Sequence, residues 1–292
     1  MVLGAGGMLG HRLLQRFSPE FDVVGTIRSH EPERAVRDAL PGIPLYPDVH
    51  AEDLAPLERA IDDWRPDAVV NCIGIVKQAP EAAEHIASIG INALFPHQAH
   101  LLAAKRGIKF IHFSTDCVFS GRRGDYKEGD IPDAADLYGR SKLLGEVTGR
   151  GALTLRTSIV GRELRGHRGL IDWCLGQRGK HIKGFARALY NGLTTGAMAD
   201  LVAEIIRSHG ALEGLWHVSS DPISKFDLLK IVNQVYKLNI EIERDDEFVC
   251  DRRLNSTRFR NEVGWRPKTW HEMIATMRSE ECNNVKARSV FA

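Results

Sequence analysis

The stretch Gly4-Ala5-Gly6-Gly7-Met8-Leu9-Gly10, close to the start of the chain, decides the fold. Glycines occupy the first, fourth and seventh positions of a G-x-x-G-x-x-G pattern, between a short apolar segment and an amphipathic helical pattern. Such glycines allow a tight turn and the close approach of a pyrophosphate, and the following helix offers free N–H groups to an anion. The stretch therefore predicts a dinucleotide-binding loop; the alternative is a glycine-rich turn without a ligand.

The residues after the loop alternate between two patterns. Short apolar runs predict buried parallel strands, because they are apolar on both faces and partly β-branched. These runs are Val23–Ile27, Ala68–Ile73, Phe110–Phe113 and Leu153–Arg156. Between them, apolar residues recur at helical spacing in three segments: Leu9, Leu13, Leu14 and Phe17; Leu54, Leu57, Ile61 and Trp64; and 93–105. The alternation predicts an α/β fold with a Rossmann-type doubly wound parallel sheet.

The pattern loosens after about residue 160. A helix is predicted at Ala197–Ile206, a strand at Leu215–Val218 and a helix at Lys225–Tyr236. We therefore expect an NAD(P)-binding domain over residues 1–160, joined by parts of 186–220. Residues 161–292 are expected to form mainly a smaller α/β substrate domain.

Composition narrows the class of protein. Lys+Arg 39 and Asp+Glu 38 give the 292-residue chain a net charge of +1, so nucleic acid is not an expected partner and anionic ligands must be bound locally. No apolar run reaches the ~18 residues of a membrane-spanning helix, and we expect no membrane partner. The five cysteines are scattered without a Cys-x-x-Cys pair, which argues against a metal site and for a reducing compartment.

The N-terminus also agrees with a reducing compartment. Met1–Gly4 contains no basic segment followed by an apolar one, so no signal peptide is expected and the predicted location is cytoplasmic. Only Met1–Leu3 precede the glycine loop, and we therefore expect a short, truncated first strand.

The end of the second predicted strand indicates which dinucleotide binds. An acid there would bind the ribose 2′-hydroxyl of NAD, but this strand ends in Thr26-Ile27-Arg28-Ser29. Arg28 and Ser29 could hold a 2′-phosphate, since guanidinium pairs well with phosphate. The predicted cofactor is therefore NADPH, with NADH as the alternative. Asp48 and Val49 are expected to contact adenine, although Asp48 could equally be a helix N-cap.

Two further segments predict proton transfer. Tyr138 and Lys142 are four residues apart, so on a helix they share one face, and an ammonium beside the phenol would lower the pKa of the tyrosine. Thr115, in Ser114-Thr115-Asp116, follows the predicted strand Phe110–Phe113. Ligands bind at the carboxyl ends of strands in open α/β sheets, so its hydroxyl could reach a substrate carbonyl there.

With these segments together, the chain resembles the extended short-chain dehydrogenase/reductase family, and within it the dTDP-4-dehydrorhamnose reductase branch. The resemblance extends to about Trp270. It is carried by the following segments: Gly4–Gly10, Val70-Asn71-Cys72-Ile73-Gly74, Ile91-Asn92-Ala93, Ser114-Thr115-Asp116-Cys117-Val118-Phe119-Ser120-Gly121, Tyr126-Lys127-Glu128, Tyr138-Gly139-Arg140-Ser141-Lys142-Leu143-Leu144-Gly145-Glu146, Leu155-Arg156-Thr157-Ser158 and Arg253-Leu254-Asn255-Ser256.

The resemblance implies three catalytic residues. Tyr138 would protonate a 4-keto oxygen, Lys142 would tune Tyr138 and hold the nicotinamide ribose, and Thr115 would bind the keto oxygen. The implied cofactor-binding residues are Gly4, Gly7, Met8, Leu9, Gly10, Arg28, Ser29, Asp48, Val49, Cys72, Ile73, Gly74, Ile75, Asn92, Phe113, Tyr138 and Lys142. The implied substrate-binding residues are Thr115, Asp116, Tyr138, Ile159, Arg253 and Asn255.

The chain departs from the branch near the expected sugar. The branch usually has Tyr and Asp where this chain has Cys117 and Ser120, and often a Trp where it has Ile159. A related 4-keto-6-deoxy or 2-acetamido sugar nucleotide therefore stays open as the substrate. Arg253 and Asn255 could bind its diphosphate or form a surface loop. The cluster Arg162, Arg165, His167 and Arg168 fits phosphate contacts and a solvated loop equally well.

The resulting functional prediction is NADPH-dependent reduction of the 4-keto group of a nucleotide-activated 4-keto-6-deoxy sugar, for surface polysaccharide or deoxysugar biosynthesis, by an enzyme that could form a homodimer. One alternative is an epimerase or dehydratase of the same family that retains NAD. The other is a non-catalytic NADP-binding partner resembling the regulatory subunit of methionine adenosyltransferase.

Overall fold

The computed structural model describes the backbone of residues 1–290 and the side chains of residues 1–281. The strands are β1 (Val2–Leu3), β2 (Gly25–Thr26), β3 (Leu45–Tyr46), β4 (Ala68–Asn71), β5 (Lys109–Thr115), β6 (Ala152–Thr157), β7 (Ile159–Val160), β8 (His181–Phe185), β9 (Ala188–Tyr190), β10 (Leu193–Thr194), β11 (Gly214–His217), β12 (Ile223–Ser224), β13 (Glu241–Asp245) and β14 (Cys250–Asp251). The α-helices are α1 (Gly10–Phe17), α2 (Arg34–Ala39), α3 (Ala55–Trp64), α4 (His85–Ser88), α5 (Phe95–Ala104), α6 (Leu137–Leu144), α7 (Leu170–Leu175), α8 (Thr195–Ser208), α9 (Lys225–Tyr236), α10 (Thr257–Val263) and α11 (Trp270–Val290). A π-helix spans Ile89–Leu94, and 3₁₀ turns span Pro80–Ala83 and Asp116–Val118.

Seven parallel strands form the central sheet, in the order β3-β2-β1-β4-β5-β6-β11. The strand order reverses between β1 and β4, so the connections leave in opposite directions and open a crevice at the carboxyl ends of these two strands. This arrangement confirms the predicted doubly wound Rossmann-type sheet. Residues 214–217, the last strand of this sheet, come from far beyond residue 160.

The two faces of the sheet bury different side chains. In β5, Ile111 packs into one apolar cluster together with Leu13 and Leu14 of α1. The preceding residue, Phe110, points to the other face, where it joins Leu57 of α3 in a second cluster. This alternation follows from the two-residue period of a strand, and it explains why the predicted strands read as continuous apolar runs.

The helices match most of the predicted faces. Leu13, Leu14 and Phe17 are buried on α1 as expected, and α9 has the predicted bounds. Trp64 lies in α3 with Leu57 and Ile61 as predicted, but its side chain is 44% exposed. Trp64 is the last residue of α3, and Arg65 ends the helix in the left-handed conformation, so the tryptophan lies beyond the covered surface.

Smaller sheets occupy the remaining chain. Strand β7 pairs with β10, β9 lies between β12 and β14, and β8 pairs with β13. Helix α8 returns to the central sheet and packs against α1. Within residues 1–290, no helix is both long and apolar enough to cross a membrane.

Candidate active site

A cleft of about 480 Å³ opens at the carboxyl ends of β1, β2 and β4. It lies where the strand order reverses, as expected for a ligand site in an open α/β sheet. Its lining includes Gly4, Gly7, Arg28, Ser29, Val49, Cys72, Ile73, Gly74 and Ile75 among the predicted cofactor residues, and also Gly6, Thr26, Ile27, Glu33, Val36, His50, Ala51, Glu52, Ile91 and Arg165.

The glycine loop is shaped for close backbone approach. Gly4 has φ +82°, and a Cβ there would lie 3.2 Å from Ile73 Cγ1. Its N–H donates to Thr26 Oγ1 at 3.2 Å, which ties the loop to the end of β2. Gly6 and Gly7 leave the cleft side of the loop without side chains. This cradle fits a dinucleotide, since a Cβ at these positions would narrow the space a pyrophosphate needs.

The last residues of the loop have a different position from the predicted one. Met8, Leu9 and Gly10 are not part of the cleft lining. Leu9 is buried in the core with α1. Gly10 is required for packing, because a Cβ there would collide with the carbonyl oxygen of Gly4. The third glycine of the motif therefore lets α1 begin directly against the loop.

Asp48 and Val49, which follow β3, have different positions. Val49 is buried and lines the cleft, whereas Asp48 does not line it. Asp48 adopts φ +59° and its carboxylate lies 2.9 Å from His30 Nδ1. The alternative interpretation of Asp48 as a helix N-cap was wrong, because the next helix, α3, begins at Ala55 and Leu54 is its N-cap residue. Arg28 and Ser29 are exposed at the rim of the cleft.

Asn92 holds the loop that follows β4. Its Oδ1 accepts a hydrogen bond from Ile75 N at 2.8 Å, and its Nδ2 donates to Ile75 O at 3.1 Å. The same Nδ2 lies 3.4 Å from Ser141 Oγ on α6. Asn92 is 1% exposed and belongs to the π-helix, a distortion that frequently marks functional sites. It therefore acts through the backbone of the cleft wall.

Lys142 is buried beside this loop. Its Nζ donates to Phe113 O at 2.7 Å, and it lies 3.9 Å from the place where a Cβ on Gly74 would stand. Burial lowers the pKa of Lys142 to about 8, against smaller effects of Glu146 and Cys72 that raise it. Phe113 was expected to contact the cofactor, but its side chain is in the core and its carbonyl oxygen holds the lysine.

Tyr138 and Thr115 come together at the carboxyl end of β5. The hydroxyl of Thr115 favours a lower pKa of Tyr138, but burial and the neighbouring Cys117 outweigh this effect and raise that pKa. The expected lowering of this pKa by Lys142 is not found, because the ammonium is directed at Phe113 O. Gly139 allows this approach of α6, since a Cβ there would collide with the carbonyl oxygen of Cys117.

Asp116 forms the floor of the same site. Its side chain is 7% exposed and its Oδ1 accepts a hydrogen bond from Thr115 Oγ1 at 3.2 Å. Burial raises the pKa of Asp116, while Arg252 is the strongest influence in the opposite direction. Burial likewise raises the pKa of Cys117 to about 12, so this thiol is a poor nucleophile at neutral pH.

The remaining substrate-binding predictions have intramolecular partners. The Arg253 guanidinium donates to both carboxylate oxygens of Asp251, at 2.6, 2.8 and 3.0 Å. Asn255 Oδ1 accepts from Thr257 N at 3.0 Å, at the start of α10. Ile159 is half-buried in β7 and packs against the main core cluster. The structure thus gives these three residues packing and loop-forming contacts.

Two residues near Asp116 were missed by sequence reasoning. Arg252 donates from Nε to Phe119 O at 3.0 Å, and its charge acts on Asp116 and Cys117. Tyr190 is buried with a hydroxyl that has no hydrogen-bond partner among the described side chains, and Asp116 raises its pKa further after burial. An unpaired buried hydroxyl is costly, so it marks a place where a polar ligand group would fit. No local motif distinguishes either residue.

The Rossmann-type sheet, the glycine cradle and the Thr115–Tyr138–Lys142 arrangement define an extended short-chain dehydrogenase/reductase. The chain belongs to the family described as RmlD substrate binding domain, whose model matches residues 1–281. Among the described side chains, no group of three His, Cys, Asp or Glu residues is placed to hold a metal ion.

Individual relatives agree with this assignment. The chain is 34% identical over 168 residues to the probable low-salt glycan biosynthesis reductase Agl14 of Haloferax volcanii, covering 54% of this chain and 52% of the relative. It is 30% identical over 148 residues to the methionine adenosyltransferase 2 subunit beta of Danio rerio, covering 50% and 42%. The chain therefore spans about half the length of these curated relatives.

The fold also matches a solved structure over nearly its whole length. The dTDP-4-dehydrorhamnose reductase of Bacillus anthracis, solved in complex with NADP, superimposes with a TM-score of 0.76. The match covers 96% of this chain and 98% of that one, at 20% identity. At this level of identity the comparison supports the fold.

Proposed function

We propose that this protein is an NADPH-dependent reductase of the 4-keto group of a nucleotide-activated 4-keto-6-deoxy sugar. The observation that carries the proposal is the grouping of Thr115, at the carboxyl end of β5, with Tyr138 and Lys142, one helical turn apart on α6, beside a cleft suited to a dinucleotide. The relatives named above support it: one is called a glycan biosynthesis reductase, and another was solved with NADP. NADH is the alternative cofactor.

In this proposal, the bound cofactor supplies a hydride to the carbonyl carbon. Tyr138 supplies the proton. Its raised pKa keeps the phenol protonated at neutral pH, which is the form that can donate to the keto oxygen. Thr115, at the carboxyl end of β5, would donate a second hydrogen bond to that oxygen as negative charge develops. Lys142, held by Phe113 O, would keep its ammonium beside the nicotinamide ribose.

The cofactor would lie along the cleft from Arg28 to Gly74. Gly4, Gly6 and Gly7 would approach the pyrophosphate, and Arg28 with Ser29 would hold a 2′-phosphate. Ile73–Ile75, held in shape by Asn92, would form the wall toward the reacting end.

The sugar would bind on the other side of Tyr138. Asp116, Tyr190 and Arg252 offer a carboxylate, a phenol and a guanidinium there, which suits a polyhydroxylated sugar carrying a diphosphate. We infer a cofactor domain of residues 1–160 with parts of 186–220, and a substrate domain mainly of 161–292. The pairing of β11 with β6 supports this division.

The cellular location and the oligomeric state are inferred from other observations. The free thiols of Cys72, Cys117, Cys174 and Cys250 favour a cytoplasmic location. We propose a homodimer, supported by exposed apolar side chains on α5 and α6, Leu101 and Leu144. Light scattering at micromolar concentration measures the oligomeric state directly.

The test is an NADPH oxidation assay at 340 nm across dTDP-, UDP- and GDP-linked 4-keto-6-deoxy sugars, with 2-acetamido sugars included. We expect turnover with at least one nucleotide sugar, and none after Tyr138→Phe. Tyr46→Phe is a matched control, since the hydroxyl of Tyr46 donates to Asp63 at 3.2 Å and lies away from Thr115 and Lys142. The absence of turnover with every sugar, from protein that binds NADPH, would refute the proposal.

A second candidate function is a regulatory subunit that binds NADP without catalysis. It is favoured by the 30% identity to the methionine adenosyltransferase 2 subunit beta of Danio rerio. In that case a methionine adenosyltransferase catalytic subunit would co-purify with this protein, and the sugar panel would give no oxidation. Turnover without co-purification would exclude this function.

A further inference from the structure

The loop between β7 and α7 contains four basic residues, and the structure separates their roles. Arg162 pairs with Asp172 at 2.6 Å and with Glu281 at 2.7 Å. His167 lies 3.5 Å from the same Asp172. These two residues therefore attach the loop to acidic side chains of α7 and α11. The last two, Arg165 and Arg168, are exposed, and only Arg165 lines the cleft of the glycine loop.

Arg165 reaches over the glycine loop from the far part of the chain. Its Nη2 is 3.6 Å from the place where a Cβ on Gly6 would stand, so the guanidinium lies against the bare backbone of the loop. Its Nη1 pairs with Glu33, the residue that precedes α2. Both side chains are about half exposed, at 51% each. The ion pair therefore bridges the mouth of the cleft between two distant segments.

The charges of the cleft lining show why this arginine matters. Four charged side chains line it: Arg28 and Arg165 are cationic, and Glu33 and Glu52 are anionic. Without Arg165 the lining would carry a net negative charge, which opposes a dinucleotide with several phosphate charges. Solvent screens a half-exposed ion pair, which then contributes little to stability, so Arg165 can exchange Glu33 for a phosphate at little cost.

We propose that Arg165 is a cofactor-binding residue, which leaves Glu33 and binds the pyrophosphate of the dinucleotide above Gly6. A planar guanidinium can bind two phosphate oxygens at once. Its position over the glycine loop assigns it to the pyrophosphate, whereas Arg28 at the end of β2 serves the 2′-phosphate. In the free protein Glu33 forms an ion pair with this guanidinium, and the competition lowers the affinity for the cofactor. The inference rests on the proposed dinucleotide binding.

The test is calorimetric titration of the full chain with NADPH and, separately, with NADH. We expect Arg165→Gln to raise the Kd for both dinucleotides about 10- to 100-fold, the range for a charged hydrogen-bonding partner. Arg168→Gln is the matched control, because this exposed arginine lies on the same loop outside the cleft lining, and it should change either Kd less than two-fold. Unchanged affinity in Arg165→Gln, or a loss limited to NADPH, would overturn the assignment to the pyrophosphate.

Glu33→Gln separates this role from a purely structural one. If Arg165 only fastened its loop to Glu33, removing either partner would weaken cofactor binding to the same extent. We instead expect Glu33→Gln to tighten binding about two- to five-fold, because it frees the guanidinium and removes a negative charge. Weaker binding in Glu33→Gln would refute the exchange. A wild-type protein that binds neither dinucleotide would refute the proposed function itself.

Discussion

Lys142 Nζ and the carbonyl oxygen of Phe113 are 2.7 Å apart, joined by a hydrogen bond between α6 and the carboxyl end of β5. The acceptor is a backbone group, so the contact orients the ammonium without supplying a full opposite charge. Burial therefore lowers the pKa of Lys142 to about 8, although Glu146 and Cys72 act to raise it. This places the titration of the lysine within the range where an enzyme is assayed.

The first prediction concerns pH. Lys142 carries its charge below a pH of about 8 and loses it above, so turnover that needs the ammonium should fall as pH rises through this value. Lys142→Arg should retain activity to higher pH, since guanidinium stays charged. The measurement is kcat against pH from 6 to 10 at saturating substrate. A flat wild-type profile, or the same fall in the arginine variant, would argue against this role.

The second prediction concerns the proton donor. Tyr138→Phe should abolish reduction while NADPH still binds with an unchanged Kd, because the phenol lies outside the lining of the dinucleotide cleft. Rates under single-turnover conditions, together with NADPH fluorescence titration, separate the two effects. Retention of wild-type turnover would show that another group delivers the proton.

The third prediction concerns cofactor choice. Arg28 lines the cleft at the end of β2, where no acidic residue is present to bind a 2′-hydroxyl. Arg28→Ala should weaken NADPH about 10-fold or more and leave NADH within two-fold, since only NADPH carries the 2′-phosphate. Parallel titrations of the two dinucleotides measure this. Equal losses for both would assign Arg28 to a shared part of the cofactor.

The fourth prediction concerns stability. Arg156 and Glu146 form a buried pair with contacts of 2.7 and 2.8 Å, and Ser114 Oγ donates to the same carboxylate at 2.6 Å. Arg156→Met should lower the free energy of unfolding by about 3–5 kcal/mol, because it leaves a buried carboxylate without its partner. Urea denaturation measures the change.

A surface pair provides the control for that measurement. Arg106 contacts Asp62 at 2.6 Å, but the carboxylate is 56% exposed, so Arg106→Met should lower the free energy of unfolding far less than Arg156→Met. Equal decreases in the free energy of unfolding of the two arginine variants would show that the buried pair stabilises the fold no more than the surface pair does.

The parts of the fold that were predicted depend on local signals. Helix α9 has both predicted ends because Ser224 Oγ accepts from Asp227 N at 3.0 Å at its start, and Lys237 adopts φ 53° at its end. Apolar runs located the inner strands because both of their faces are covered. The exposure of Trp64 could not be predicted, since periodicity defines the face of a helix but not how much of that face other elements cover.

The site was predictable only where one segment contains the chemistry. The glycine loop and the Tyr138–Lys142 pair are continuous in sequence. Gly4 and Gly7 line the cleft, although Met8, Leu9 and Gly10 do not, and Tyr138 and Lys142 lie on one helix as predicted. Arg165, by contrast, reaches the cleft from a loop far along the chain, and no local pattern shows which of its four basic residues lines the cleft. No pattern around Asp48 indicated its left-handed conformation or the contact of its carboxylate with His30.

The π-helix at Ile89–Leu94 makes the orientation of Asn92 depend on the number of residues in this segment. Phe95 N donates to Gly90 O, five residues back, so this turn contains one residue more than an α-helical turn. Each helical residue adds about 100° of rotation, so the extra residue lets Asn92 face the 72–75 loop while Phe95 stays buried against the sheet. Deleting a single residue here would restore regular helical geometry and turn Asn92 away from Ile75. For this segment, an insertion or deletion would therefore be more damaging than most substitutions.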